Sequence, residues 1–172
     1  MSGSSYEATR YGTSIKWFKW RTTDDEDTKS TTVYFDVKCS WSAQLLLGPN
    51  TDLSDKDKYF LVIGGEENKL SLIKYQFEGS TKSSYSHSPL SPTTYYGFWV
   101  SLDKQKDGNI HIDIGHANST KPFMSWISEG EEPWDIRYLG VRSYGSSMCY
   151  FKNIRQHKAA LDGKMFSFFK IP

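Results

Sequence analysis

The sequence predicts an all-β chain, an antiparallel β-sandwich of jelly-roll type, and two observations lead to this prediction. Apolar residues alternate with polar ones along many short segments, which is the pattern of half-buried strands. Breaks rich in Asp, Ser and Gly separate these segments every 8 to 12 residues or so, a spacing typical of sandwiches and barrels. A chain of 172 residues suits one core, so we expect a single domain over residues 1–172.

The individual strands follow from their patterns. Residues 33–39 alternate apolar with polar side chains, and residues 109–114 place three isoleucines on one face. Residues 59–63 are continuously apolar, as in a central strand covered on both faces. Only residues 155–161 have a briefly helical pattern. The predicted strands are, in chain order, 15–20, 33–39, 44–47, 59–63, 70–77, 96–102, 109–114, 136–141, 148–154 and 165–171.

The connections between these strands are polar. Residues 22–32 are charged and predict a solvated loop between the first two strands. Four further segments rich in Asp, Ser or Gly are predicted to be turns. These segments are 48–57, 78–84, 103–108 and 143–147.

A glycine pair, Gly64-Gly65, raises the question of a phosphate-binding loop. Such a loop needs a helix after the strand, because the helix N-terminus favours the anion. Here another strand pattern follows, and Glu66 and Glu67 would repel a phosphate. We therefore interpret the pair as the turn of a hairpin.

Composition limits the partners. Hydrophobic residues make up 37% of the chain and aromatic residues 16%, as in a folded protein with an aromatic core. Lys and Arg (21) nearly balance Asp and Glu (20), so nucleic acid and anionic membranes are not expected partners. No apolar run is long enough to span a membrane.

Two features bear on the compartment. The chain is expected to be soluble and has no export signal as written, but MSGSS is also typical of a start that has replaced a leader. A cytoplasmic and a secreted location both stay open. The two cysteines, Cys39 and Cys149, are expected to be buried or free thiols, and the sequence leaves their pairing open.

Several spaced motifs resemble those of a known family. Gly64-Gly65-x-x-Asn68-x-x-Ser71 is preceded by the strand at 33–37 and followed by Gly97-Phe98-Trp99-Val100-Ser101. The order continues with the segments 112–115, 122–126 and 139–141. Over about residues 33–154 the chain is similar to the farnesoic acid O-methyltransferase domain of invertebrates. The segment 142–149 and the insertion 103–108 depart from the family pattern.

The family name implies methyl transfer from S-adenosylmethionine to a sesquiterpene acid. Such enzymes normally use a doubly wound α/β sheet, and this chain lacks the alternating strand and helix patterns that such a sheet needs. Similar domains beside lectin-like modules imply recognition instead. Our leading hypothesis is therefore a non-enzymatic module that binds a carbohydrate or another small ligand. Methyl transfer and a structural role in binding other chains, including a homo-oligomer, are the alternatives.

Chemical sites are weakly indicated. His111 and Asp113 share the outward face of one strand, and His116 lies just beyond them. This arrangement has two interpretations, a metal site or a solvated polar face. No serine lies in the context of a nucleophile elbow, and no catalytic residue is predicted. No cofactor is expected, although one acidic loop is a weak candidate for calcium. Its carboxylates are Asp52, Asp55 and Asp57.

Ligand binding is expected in loops at one end of the sandwich, because sugars stack on aromatic rings and hydrogen-bond to polar side chains. Trp126 has two interpretations, as a ligand-binding residue or as a core residue. The other tryptophans are assigned mainly to packing, namely Trp17, Trp20, Trp41 and Trp99. A further motif, Asn118-Ser119-Thr120, is a glycosylation sequon that matters only in an exported protein. The predicted ligand-binding residues are Trp126, Trp134, Arg142, Tyr144 and His116.

Overall fold

The computed structural model describes residues 5–8, 15–19, 28–52, 57–76, 78–105, 107–129, 136–160 and 169–170. The strands within them are, in chain order, β1 (Ser5–Ala8), β2 (Lys16–Lys19), β3 (Thr28–Lys38), β4 (Ala43–Gly48), β5 (Tyr59–Gly64), β6 (Leu70–Tyr75), β7 (Thr81–Ser86), β8 (Tyr96–Lys104), β9 (Ile110–His116), β10 (Met124–Ile127), β11 (Tyr138–Ser143), β12 (Cys149–Ala160) and β13 (Phe169–Lys170). One four-residue helical turn, α1 (Gly65–Asn68), lies between β5 and β6.

The strands form two antiparallel sheets that pack face to face, so the predicted all-β sandwich is confirmed. Sheet A has the order β1-β12-β3-β8-β9-β10, and β13 also pairs with β12. Sheet B has the order β2-β11-β4-β5-β6-β7. Consecutive strands often lie in different sheets, which produces the crossing connections of a jelly roll.

Alternation along the strands builds the core between the sheets. On β9, Ile110, Ile112 and Ile114 are buried in the core, while His111 and Asp113 lie on the outer face of sheet A. β5 is buried at every position, as expected for a strand covered on both faces. The predicted periodicity therefore places the correct side chains inward on both strands.

The glycine pair forms a hairpin turn, as predicted. β5 and β6 pair directly, and Lys69 N–H donates to the Gly65 carbonyl at 2.9 Å. Gly64 has φ 65°, and a Cβ there would lie 2.5 Å from Asn68 Oδ1. Glu66 and Glu67 also have positive φ, so α1 is a left-handed turn whose first residues offer no helix N-terminus.

Four local predictions are wrong. Residues 78–84, predicted to be a turn, include the start of β7, which pairs with β6. Residues 155–161, predicted to be helical, continue β12 through Ala160, because pairing with β3 outweighs the local pattern. β3 begins at Thr28, inside the segment predicted to be a loop. The 103–108 turn starts later, since β8 runs to Lys104.

The two cysteines are also not free thiols. Cys39, directly after β3, and Cys149, the first residue of β12, form a disulfide across neighbouring strands of sheet A. Both are buried. The pairing joins positions 110 residues apart, a contact that only the fold creates.

In the described ranges, no helix has the length and hydropathy that crossing a bilayer requires.

Candidate ligand-binding groove

A groove of about 420 Å³ lies on the outer face of sheet A. Its volume falls within the range of roughly 300–1,000 Å³ found for ligand sites. Its lining has no charged side chain and combines hydroxyl groups, two aromatic rings and a loop after β9. The lining consists of Ser30, Thr32, Tyr34, Trp99, Ser101 and residues 117–120.

The floor of the groove is built by register. β3 and β8 are neighbours, and Tyr34 pairs with Trp99 while Thr32 pairs with Ser101. Cross-strand partners point to the same face of a sheet. The first pair therefore places two aromatic rings side by side, and the second pair places two hydroxyl groups next to them. Inward neighbours such as Val33 and Val100 are buried in the core and hold this surface in place.

Trp99 is fixed by two contacts. Its Nε1–H donates to the Ser119 carbonyl at 2.8 Å, which ties the ring to the loop after β9. Its cross-strand partner on β9 is Gly115, and a Cβ there would lie 2.3 Å from two atoms of the indole. The ring therefore occupies space that only glycine leaves open.

The loop after β9 forms one wall of the groove. Ala117 N–H donates to the Gly97 carbonyl at 2.9 Å, and Ser119 N–H donates to the His116 carbonyl at 2.9 Å. The second bond closes a β-turn with Ala117 and Asn118 at its centre. Ser119 Oγ also accepts from Lys121 N–H at 3.1 Å, so the wall has defined geometry.

Two carboxylates border the groove, one on β8 and one on β9. Asp113 is the cross-strand partner of Ser101, and it contacts His111 Nε2 at 3.1 Å and the Ser125 hydroxyl. Asp103 follows on the same face of β8, and its Oδ1 is buried with no hydrogen-bond donor within the described residues. On the opposite side, Arg155 of β12 pairs with Tyr34 and is exposed. Charge therefore surrounds the groove but does not line it.

The structure does not bring the sequence-predicted ligand residues together. Trp126 packs against the core, with its ring centroid 5.5 Å from that of Tyr59. This agrees with its interpretation as a core residue. Arg142 is buried, and its Nε donates to Gln44 Oε1 at 2.7 Å. Tyr144 is exposed after β11. Trp134 lies outside the described residues. The described members therefore do not share a surface, because Trp126 lies on β10 of sheet A whereas Arg142 lies on β11 of sheet B.

His116, the remaining predicted residue, lies in an aromatic cluster where the edges of the two sheets meet. Its ring centroid is 6.0 Å from that of His87 and 5.0 Å from that of Phe123. Burial, with a smaller contribution from His116, lowers the pKa of His87 to about 4. Burial also lowers the pKa of His116. Both rings are therefore neutral near pH 7.

A serine and a histidine do meet in this cluster. The Ser71 hydroxyl lies 2.6 Å from His87 Nε2 and accepts from Gly64 N–H at 3.2 Å. Ser71 is 0% exposed, so its oxygen cannot meet a substrate. The pair instead links the hairpin turn to the segment after β7.

The candidate metal ligands have other partners or lie apart. The Lys58 ammonium contacts Asp52 and Asp57, each at 2.8 Å, where a cation bound by these carboxylates would lie. Asp55 lies outside the described residues. His111 and Asp113 do share a face, as predicted, but His116 points to the inner side. Among the described residues, no group of three or more His, Cys, Asp and Glu side chains could hold a metal.

Part of the groove was visible in the sequence. The alternation along β8 predicts that Trp99 and Ser101 lie on the face opposite its core residues. Trp99 is nevertheless buried, with 8% of its surface exposed, which agrees with its assignment to packing. What periodicity could not show is that β3 lies beside β8, which brings Tyr34 and Thr32 to them.

Comparison with solved structures identifies the same fold in other proteins. A double mutant of congerin II matches with a TM-score of 0.53 at 7% identity, over 83% of this chain and 99% of that one. Galectin-Ib from Xenopus laevis matches with a TM-score of 0.51 at 12% identity, over 84% of this chain and 100% of that one. At such identity the likeness shows the fold alone, which is that of galectins.

A protein of unknown function from Shewanella oneidensis MR-1 matches with a TM-score of 0.52 at 14% identity. The match covers 82% of this chain, which spans only 62% of the Shewanella protein. No curated protein sequence matches the chain. The family model described as farnesoic acid O-methyltransferase matches residues 11–155. Because that match extends over most of the sequence, the chain belongs to the farnesoic acid O-methyltransferase family.

Proposed function

We propose that the protein is a non-enzymatic recognition module that binds a neutral carbohydrate in the groove on the outer face of sheet A. The observation that supports this most directly is the lining of the groove. Two aromatic rings, Tyr34 and Trp99, lie beside three side-chain hydroxyls, Ser30, Thr32 and Ser101.

This combination matches the chemistry of a sugar. A pyranose ring has apolar C–H faces that stack on aromatic rings, and hydroxyls around its edge that both donate and accept hydrogen bonds. Ser and Thr hydroxyls also both donate and accept, so they complement such an edge. The galectin-like sandwich supports the proposal at the level of fold.

A neutral ligand is favoured because the lining holds no cation. An anionic sugar would lose its hydration without gaining an ion pair from the lining residues. The Asp103 and Asp113 carboxylates beside the groove would repel it, although Arg155 on β12 reduces this effect. We therefore expect neutral saccharides to bind more tightly than sialylated or sulfated ones.

Methyl transfer, which the family name suggests, has less support. The Gly64-Gly65 segment that could have bound a nucleotide is a left-handed hairpin turn followed by β6. The side chains after it, Glu66 and Glu67, are exposed carboxylates. The strand, glycine loop and helix that open a doubly wound nucleotide-binding sheet are therefore not present at this position.

A glycan array tests the proposal, with S-adenosylmethionine titrated calorimetrically in parallel. Ser101→Tyr fills the groove and should abolish array binding. Ser84→Tyr makes the same change at an exposed position of β7 in sheet B and should leave binding intact. Loss of glycan binding in both variants would refute carbohydrate recognition in the groove. So would a calorimetric binding signal with S-adenosylmethionine when no glycan on the array is bound. Sedimentation of the same samples tests the structural alternative, in which the chain forms a homo-oligomer.

A further inference from the structure

One wall of the groove contains a sequence motif for covalent modification. Asn118-Ser119-Thr120 has the form Asn-x-Ser/Thr that is recognised for N-glycosylation. Asn118 occupies a central position of the β-turn closed by Ser119 N–H and the His116 carbonyl. Asn118 and Thr120 are both exposed. The acceptor amide therefore lies on an accessible corner.

The disulfide provides a second, independent observation. Cys39 and Cys149 are paired in the core of sheet A. Disulfides form and persist mainly in oxidising compartments, which a eukaryotic protein reaches through the secretory route. N-glycosylation takes place on the same route. The disulfide and the sequon are unrelated features, and both are typical of a protein that passes through the secretory route.

We propose that Asn118 is an N-glycan acceptor and that its glycan closes the groove. In the transfer, Asn118 Nδ2 attacks the anomeric carbon of an oligosaccharide held on a polyprenyl diphosphate. A C–N bond forms as the C–O bond to the diphosphate breaks. Nδ2 loses a proton, and the polyprenyl diphosphate leaves, so no oxidation or reduction is involved.

Closure of the groove follows from position. Asn118, Ser119 and Thr120 all line the groove, so a sugar attached to Nδ2 is tethered at its wall. A tethered group competes at high effective concentration with a free ligand. The Trp99 bond to Ser119 keeps this wall against the floor. This closure rests on the proposed carbohydrate function, whereas the acceptor role of Asn118 does not.

The acceptor role is tested by mass. The full chain is routed through the secretory pathway of insect cells with a cleavable leader, and its intact mass and peptides are measured with and without enzymatic deglycosylation. We expect one N-glycan in the wild type. Asn118→Gln and Thr120→Ala should lack it, whereas Thr120→Ser preserves the sequon and should retain it. A secreted wild-type chain with unmodified Asn118 would overturn the proposal.

Closure of the groove is tested by affinity. The glycosylated wild type from insect cells and the same wild-type sequence made without glycosylation in a bacterial periplasm, where the disulfide can still form, are titrated with the best neutral glycan from the array. We expect the glycosylated form to bind at least about tenfold more weakly. Equal affinities would overturn closure and leave the acceptor role in place. Failure of the unglycosylated wild type to bind any glycan would refute the proposed function, and with it closure of the groove. The mass measurement would still decide the acceptor role of Asn118.

Discussion

Trp99 on β8 occupies the space that a side chain at position 115 of β9 would need, with indole atoms 2.3 Å from an ideal Cβ at Gly115. The two residues are direct cross-strand partners. Because the ring is also tied to the Ser119 carbonyl, its position couples the floor of the groove to its wall. The shape of the groove therefore depends on a glycine outside its lining.

Gly115→Ala is expected to lower the free energy of unfolding by about 1–3 kcal/mol, the usual cost of overpacking. It should also weaken glycan binding, since Trp99 must move. Urea unfolding and calorimetric titration measure the two effects. Trp99→Phe should partly rescue the stability of Gly115→Ala, because a smaller ring leaves room for the methyl group. Additive losses in the double variant would contradict the contact.

The disulfide is expected to contribute about 2–5 kcal/mol to the free energy of unfolding, since it closes a long loop in the unfolded chain. Its partners, Cys39 and Cys149, lie 110 residues apart. Reductant should lower the urea midpoint of the wild type. The Cys39→Ala/Cys149→Ala double variant should start with a lower midpoint and show no response to reductant. A reductant effect of equal size in this variant would argue against the bond.

Acid is expected to destabilise the protein through His87. Its pKa is lowered from 6.5 to about 4 in the folded state, so the unfolded chain binds the proton more readily. Stability from this group is complete above pH 6.5 and is lost as the pH falls toward 4. The ring is partly exposed, so the expected loss is discounted to roughly 1–2 kcal/mol.

Urea unfolding between pH 4 and pH 7 measures this loss. His87→Gln keeps a polar side chain that does not titrate, and its stability should depend less steeply on pH in this window. The matched control is His157→Gln, on β12 and outside the cluster. Equal pH slopes for wild type and His87→Gln would exclude His87 as the source.

Lys58 is expected to take the place of a metal ion. Its side chain is 0% exposed and contacts Asp52 and Asp57. Lys58→Met should cost about 1–3 kcal/mol, because it removes the ammonium group that donates to Asp52 and Asp57 at 2.8 Å. Millimolar calcium should not raise the melting temperature of the wild type. A calcium-dependent rise in the wild type would show that the loop binds the ion in spite of the lysine.

The sequence is a good guide to this fold where one face of a strand meets the core. Alternation at 109–114 and the apolar run at 59–63 both predict the observed burial. It fails at edges: β7 is polar and mostly exposed, so Thr81–Ser86 has no inward pattern to detect. It also fails at 155–161, where β12 is held by long-range pairing with β3.

The candidate site was harder to predict than the fold, because it depends on strands that are distant in sequence. Tyr34 and Trp99 are neighbours only because β3 pairs with β8. The residues chosen from loop composition, such as Arg142, have the right chemistry, but the strand that holds Arg142 buries it. A binding face formed by strand register cannot be deduced from local composition.

The most direct test of the binding surface is a map of backbone amide shifts in ¹⁵N-labelled, unglycosylated protein titrated with neutral and sialylated oligosaccharides. A neutral sugar should shift the amides of residues 30–34, 99–101 and 117–120, and the sialylated form should do so more weakly. Shifts confined to the Arg142–Tyr144 segment, or no shifts with any saccharide, would contradict carbohydrate recognition by the outer face of sheet A.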